Sequence, residues 1–239
     1  MSRQLFDLAA SDPRVRFSPY CWRVRMALAH KELDVTTVPW RFTEKTALAF
    51  AKSQQVPVLV DDDVVIPDSM AIADYLEHRY PENPLFGSSE ARAMANFVRH
   101  WVESVLSPGL IKQILVDIAR IVAPCDVEYF RTTREARFGM SLEAVCADRD
   151  ARLPEFRDTL QPLRLTLSGQ KFLNGSGPGF SDYLVFGAFQ WARCASSRVL
   201  LTHDDPVQEW LERILALYDG LGKNAPRATD PCGPTTIRP

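Results

Sequence analysis

Three short strings in the 239-residue chain bring together residue types that can do chemistry. The first is Phe17-Ser18-Pro19-Tyr20-Cys21-Trp22. With cysteine at position 18 it would read Cys-Pro-Tyr-Cys, a dithiol redox signature at a helix start. Here the first sulfur is replaced by a hydroxyl oxygen. Serine followed by proline is also an ordinary way to begin a helix, with the serine Oγ accepting from the Cys21 N–H. The chemical reading is that the hydroxyl and the free helix-end N–H groups face an anion. The second string is Gln55-Val56-Pro57. A proline at a strand's first residue is tolerated; a cis Val56–Pro57 bond would instead turn the Val56 N–H and C=O outward, ready to pair with an extended peptide. The sequence does not reveal the isomer. The third is Asp68-Ser69, which opens a helix after Pro67. It is either a cap, or a second helix start that holds a carboxylate while Asp68 meets an ammonium.

Elements of two kinds must position these strings. In residues 1–80, strand and helix signals alternate. Gln4–Leu8 is a short apolar strand. Ser18–Lys31 reads as a helix with Ser at N-cap and Pro at N1. Val35–Val38 is β-branched and strand-like. A polar, lysine-bearing stretch runs to Gln55. Val56–Val60 and Val64–Ile66, joined by Asp61-Asp62-Asp63, read as a tight hairpin. A helix then runs from Asp68-Ser69 to Tyr80. The order βαβ-ββα predicts a small α/β domain with a mixed four-stranded sheet.

Residues 81–89, Pro-Glu-Asn-Pro-Leu-Phe-Gly-Ser-Ser, read as a linker. From 90 to 239 the strand signals stop and an all-helical domain is predicted, with an irregular tail from Leu221. Ala91–Leu106 is predicted to bury a face made of Phe97, Val98, Trp101 and Val105, with Pro108-Gly109 breaking or kinking the helix. Val127–Ala147 and Pro154–Leu167 are further helices. Ser181–Ala195 is apolar enough to run through the centre of this half. Asp205-Pro206-Val207-Gln208 supplies an N-cap, a first-turn proline and a capping-box partner for a helix reaching Tyr218 and ending at Gly220.

Composition narrows the classes of function. There are 28 Lys plus Arg against 30 Asp plus Glu, a net charge of −2. That balance argues against nucleic acid or an anionic membrane as the main partner. The five cysteines, Cys21, Cys125, Cys146, Cys194 and Cys232, include no C-x-x-C pair, so neither a disulfide framework nor a zinc knuckle is indicated. The four histidines show no metal-ligand spacing, so no metal is expected. No apolar run approaches a membrane span and no signal peptide is evident, which makes a reducing cytoplasm the expected compartment.

The order and spacing of the three strings, followed by a helical second half, resemble the cytosolic glutathione transferases from about Gln4 to Gly222. The strings SPYCWRVRMALAHK, DSMAIADYLEHRYP, FSDYLVFGAFQWA and DDPVQEWLERILALYDGLG resemble the serine-type subgroup, which contains bacterial β-aryl-etherases and their fungal relatives. The resemblance implies a thioredoxin-like domain that binds glutathione as co-substrate. It implies that Ser18 stabilises the glutathione thiolate, and that the thiolate attacks an electrophilic carbon of an aromatic or aryl-ether substrate. Gln55, Val56, Pro57, Asp68 and Ser69 would hold the tripeptide, with Arg41, Lys45 or Lys52 meeting its glycine carboxylate. Asp182 matches the buried aspartate that starts the family's central helix, although Gly179 stands where a side-chain cap is usual; it is read as structural. The second substrate would sit between the domains, lined by Tyr20, Trp101, Tyr129, Phe130, Phe138 and Trp191, with Arg137 and Arg193 able to steer an anion. A homodimer is implied. Two other functions stay open on the sequence: thiol transfer or disulfide reduction through Cys21, and non-enzymatic binding of glutathione and hydrophobic ligands.

Overall fold

A computed structural model describes residues 2 to 228; Cys232 and the end of the predicted irregular tail lie outside the described residues. Strand β1 (Arg3–Leu8) is followed by helix α1 (Pro19–His30), strand β2 (Thr36–Trp40), a 3₁₀ segment (Lys45–Ala51), strands β3 (Val58–Asp61) and β4 (Val64–Pro67), and helix α2 (Ser69–Arg79). The strand order is β2-β1-β3-β4. β1 runs parallel to β2 and antiparallel to β3, and β3 pairs antiparallel with β4 through a two-residue turn at Asp62 and Asp63. This is the mixed four-stranded sheet of a thioredoxin-like domain, as the β/α alternation predicts.

The second half is helical. It contains α3 (Ser89–Trp101), a π-helical turn (Val102–Leu106), α4 (Ser107–Ile121), α5 (Val127–Phe138), α6 (Leu142–Cys146), α7 (Leu153–Asp158), α8 (Gln161–Gly169), α9 (Phe180–Ala195) and α10 (Pro206–Gly220). Helix α9 is buried along nearly its whole length and packs against α1, as its apolar composition demands. The contact is backbone to backbone. A Cβ on Gly187 of α9 would fall 2.3 Å from the Pro19 carbonyl oxygen in the first turn of α1. The glycine therefore sets how closely the helix carrying Ser18 sits on the second half.

Several local expectations are corrected. Pro108 neither breaks nor ends its helix. The π turn at 102–106 precedes it, and the chain continues helically to Ile121. Widening one turn before the proline accommodates its ring and missing N–H. The buried stripe of this long helix is Ala95, Val102, Leu106 and Leu110, while Phe97 is 68 % exposed. Val127–Ala147 is two helices, because Gly139 adopts a left-handed φ of 68° and Ser141 caps a new start. Pro154–Leu167 is likewise two. Gln208 does not close a capping box; its amide donates to Glu212 instead. Asp205 does cap α10, accepting from the Val207 N–H at 2.9 Å.

The end of α10 differs most. Helical angles stop before Leu217, and Tyr218 and Asp219 are left-handed with φ of 53° and 55°. Non-glycine residues reach this region at a cost of about 1–2 kcal/mol each. The turn brings the Tyr218 hydroxyl into a short hydrogen bond with that of Tyr183, which also bonds His30 Nδ1 at 2.6 Å. This small network joins the end of α1, the start of α9 and the turn within the last residues of α10. Burial, with Lys31 adjacent, holds the His30 imidazole below its ordinary value of 6.5. Below pH 6.5 the unfolded chain then takes up a proton that the folded chain resists, so stability is lost as pH falls through that window and is fully present above it. His30→Gln is expected to flatten this part of the profile. Equal slopes of urea midpoint against pH for the two proteins, between pH 7.5 and 5, would count against it.

The connection between the halves is tied down electrostatically. Lys31, with a buried side chain, donates to Glu77 at 2.6 Å and to the carbonyls of Tyr80 and Glu82. Glu77 also accepts from the N–H groups of Leu85 and Phe86. A charge pair with this many supporting hydrogen bonds fixes geometry more than it adds net stability.

Candidate active site

Ser18 caps α1 and is only 3 % exposed; its Oγ accepts from the Cys21 N–H at 3.2 Å. Accepting that bond uses a lone pair and leaves the O–H free to donate. As the second residue of the helix, Tyr20 has an N–H with no intrahelical carbonyl to meet. Both donors sit at the positive end of the helix dipole.

Ser18 lies in the wall of a cavity of about 420 Å³ between the two halves. The first half contributes Tyr20, Trp40, Phe42, Lys45, Gln55 and Val56 to the walls, and the second half Glu103, Ile111, Tyr129, Phe130, Arg134, Arg137, Phe138 and Trp191. The Val56–Pro57 peptide is cis. Neither the N–H nor the C=O of Val56 has a backbone partner among the described residues. The start of α2 is tied to this segment, since the Asp68 N–H donates to the Pro57 carbonyl at 3.2 Å. The end of β1, the start of β3 after Val56-Pro57 and the end of β4 before Asp68 thus lie at the same end of the sheet.

Not every predicted residue reaches the cavity. Of the three cations, Lys45 lines it, with its ammonium over the rings of Trp40 and Tyr129 and donating to the Gln54 carbonyl. Arg41 lies 3.7 Å from Glu44 on its own loop, and Lys52 caps the 3₁₀ segment in a left-handed conformation; neither lines the cavity. Asp68 turns one carboxylate oxygen back onto the N–H groups of Met70 and Ala71, at 2.8 and 3.1 Å, and so caps α2. Ser69 is buried in the first turn behind it. Tyr20, Tyr129 and Phe130 line the cavity, as do Phe138, Trp191 and Arg137. Trp101 does not. The cavity-facing positions of its helix are Glu103, Ser107, Pro108 and Ile111, while Trp101 is partly buried and packs against the hydrophobic core. Arg193 donates to the carbonyls of Gly222 and Lys223 instead.

Sequence reading missed Phe42, Glu103, Arg134 and the residue that holds Phe42 in place. That residue is Asp126, fully buried just before α5. It accepts from the Phe42 N–H (3.0 Å), the Thr43 N–H (2.9 Å) and the Thr43 hydroxyl (2.7 Å). A carboxylate with three local donors is well satisfied, and this one staples the loop after β2 to the second half across 84 residues of chain. No local pattern signals such a contact.

Cys21 is fully buried in the first turn of α1. Burial, reinforced by the neighbouring Asp7 carboxylate, pushes its thiol well above the ordinary range. A nucleophilic cysteine needs the opposite: exposure and a lowered pKa. The helix-start resemblance to a dithiol site therefore stops at geometry. Among the described residues, no group of three His, Cys, Asp or Glu side chains converges as metal ligands would. No helix among them is long and apolar enough to cross a membrane.

Comparison with known proteins matches the fold. The structure superposes on glutathione transferase GSTFuA3 from Phanerochaete chrysosporium with a TM-score of 0.81, covering 91 % of this chain and 97 % of that one at 22 % identity. A transferase of Ceriporiopsis subvermispora solved in complex with glutathione gives 0.76, covering 92 % and 97 % at 21 % identity. At these identities the likeness is one of fold. Among curated sequences, Glutathione S-transferase U7 of Arabidopsis thaliana is 27 % identical over 207 residues, 83 % of this chain and 79 % of its own length. Glutathione S-transferase 1 of Dianthus caryophyllus is 41 % identical over 85 residues, 34 % of this chain. That match spans 38 % of the Dianthus protein. The family model for the glutathione S-transferase N-terminal domain matches residues 13–84, and that for the C-terminal domain matches residues 93–217, more than half of the chain. With both domain models in order and the cavity lying between the regions they cover, the chain belongs to the glutathione S-transferase family.

Proposed function

We propose that the protein is a glutathione transferase in which Ser18 activates the thiol. The single observation that carries this is the Ser18 hydroxyl at the start of α1, in the wall of a cavity shared with Val56 on one side and aromatic side chains of the second half on the other. Residues 1–80 hold glutathione. The Val56 N–H and C=O pair with its cysteinyl backbone, Gln55 and the Asp68-Ser69 helix start hold its γ-glutamyl end, and Lys45 meets its glycine carboxylate. Residues 81–89 link this domain to residues 90–239, which with Tyr20 supply the second-substrate site. Bound glutathione supplies a thiolate, which forms a C–S bond as the electrophile's carbon–leaving-group bond breaks and the leaving group departs with the electron pair. In the etherase variant that carbon lies beside an aryl ketone and the leaving group is a phenolate.

The alternative through Cys21 finds no support in a thiol that is fully buried and held protonated. Exposed apolar side chains at Phe50, Met94 and Phe97 support a homodimer. A cytoplasmic location fits the thiol chemistry.

Two assays test the reading. Conjugation of 1-chloro-2,4-dinitrobenzene with glutathione is expected, with release of chloride. Phenol release from an α-keto β-aryl ether tests the etherase variant; conjugation without phenol release would remove that variant alone. Absence of both, with glutathione bound, would favour a non-enzymatic binder. Cys21→Ser is expected to leave conjugation within about twofold, since a buried, protonated thiol takes no part; disulfide reductase activity lost in this variant alone would reverse the assignment.

A further inference from the structure

The charge in the cavity is unevenly spent. Lys45, Arg134 and Arg137 line it, against a single carboxylate, Glu103. Glu103 is already engaged by the buried Arg23 at 3.4 Å and by Arg99 at 3.8 Å. Lys45 donates to the Gln54 carbonyl, and the reading above assigns it to the glycine carboxylate. Arg137 is exposed at the rim.

Arg134 is different. It is partly buried, and its guanidinium stands 4.8 Å from the ring centre of Phe42 and 4.6 Å from that of Phe130. Phe42 is fixed by Asp126 and Phe130 is buried, so the guanidinium rests against ordered rings. Its side-chain hydrogen bonds are to neutral partners, the Thr133 hydroxyl at 2.7 Å and the Tyr129 side chain. Among the described residues no carboxylate lies within ion-pair distance of it, although most other buried or half-buried arginines here have one, such as Arg3, Arg23, Arg149, Arg164 and Arg198. Burial also holds its pKa below the ordinary guanidinium value, the mark of a cation short of water. A fixed, partly dry guanidinium in an aromatic-walled cavity lacks one thing, a planar anion.

We infer that Arg134 is a specificity-determining residue that binds a carboxylate on the second substrate, so that the cavity selects aromatic electrophiles carrying an anionic group. The rings of Phe42, Tyr129, Phe130 and Trp191 take the substrate's aromatic body, and Arg134 takes its carboxylate. The inference rests on the transferase reading for its substrate, and its test separates binding from turnover.

The binding arm uses two unreactive probes, 1-naphthoate and its neutral isostere 1-naphthamide, titrated by calorimetry with glutathione present. The native protein is expected to bind the naphthoate at least ~10-fold more tightly. Arg134→Gln should bring the ratio close to one, and Arg134→Lys should restore part of it, because charge is kept while the planar fork is lost. The kinetic arm compares 4-chloro-3,5-dinitrobenzoate with its methyl ester. The ratio of their kcat/KM values should fall by about 10- to 100-fold in Arg134→Gln, the effect of losing one charge-assisted hydrogen bond from a partly dry site. No preference for naphthoate in the native protein would overturn the inference without any variant. So would an equal loss of glutathione affinity in Arg134→Gln, which would assign the guanidinium to the tripeptide's own carboxylate. A naphthoate preference that depends on Arg134, in a protein that conjugates neither electrophile, would reject the transferase reading and uphold the anion site.

Discussion

Ser18→Ala is expected to lower kcat/KM at pH 7 by about 10- to 100-fold, with much of the loss recovered at alkaline pH. A free thiol titrates near ~8.5 and is mostly protonated at neutral pH. Each unit of lowering requires about 1.4 kcal/mol of preference for the thiolate. A hydroxyl donating to a charged acceptor supplies about 1.5–3 kcal/mol, which corresponds to one to two units. Because the Ser18 Oγ accepts the Cys21 N–H, its proton is free to make that bond. Removing the hydroxyl also costs α1 its cap, about 1 kcal/mol of stability. The two effects separate in the data. The acidic limb of the pH–rate profile should move up by one to two units, and the ultraviolet thiolate absorbance of bound glutathione should titrate with it. Ser18→Thr keeps both the cap and the donor and should retain most of the activity. A profile in Ser18→Ala that stays where the native one lies would reduce Ser18 to a helix cap.

The largest expected effect on stability belongs to Asp182→Ala, at about 3–5 kcal/mol. Asp182 is fully buried in the first turn of α9. One of its oxygens accepts from the Leu173 N–H (2.8 Å) and the Trp210 Nε1–H (2.8 Å), the other from the N–H groups of Asn174 and Gly179 (3.1 Å each). Alanine would leave four donors without an acceptor, those of Gly179 and Trp210 buried and those of Leu173 and Asn174 part-buried, and each buried one costs about 1–3 kcal/mol when relaxation does not rescue it. Asp182→Asn should cost less. Its amide oxygen can serve one pair of donors, but its NH₂ then faces the other pair. For a domain stable by roughly 5–15 kcal/mol, the alanine variant should show a clearly lowered urea midpoint at an unchanged m-value. A midpoint within error of the native protein would mean that water or a shifted loop replaces the carboxylate.

Asp182 also shows where reading by pattern stops. Gly179, standing where a side-chain cap is usual, looks like half of a lost reciprocal box. In the structure, a Cβ at Gly179 would lie 2.5 Å from the Asn174 side chain, which fills that space. The carboxylate still accepts from the Gly179 N–H and gathers three further donors from the 173–174 loop and from α10. The aspartate was legible from its place in the string; its partners were not, because Trp210 is 28 residues away.

The same division runs through the fold and the site. Alternating strand and helix signals determined the mixed sheet, and the caps at Ser18, Asp68 and Asp205 determined where three helices begin, because those choices depend on neighbours within a few residues. The strand order likewise brings the segments next to Val56-Pro57 and Asp68 to the same end of the sheet as the end of β1. Side-chain orientation around a long helix was not legible: the cavity faces Glu103 and Ile111 rather than Trp101, and Phe97 stays exposed. The left-handed turn at Tyr218 and Asp219, the staple from Asp126 to Phe42 and Thr43, and the placement of Arg134 against Phe42 are decided by contacts between residues distant in sequence. Local propensity and capping are written in adjacent side chains. Which polar group a buried side chain meets, and which cation is left without a carboxylate, depends on how two separately formed halves dock, and only the tertiary structure decides that.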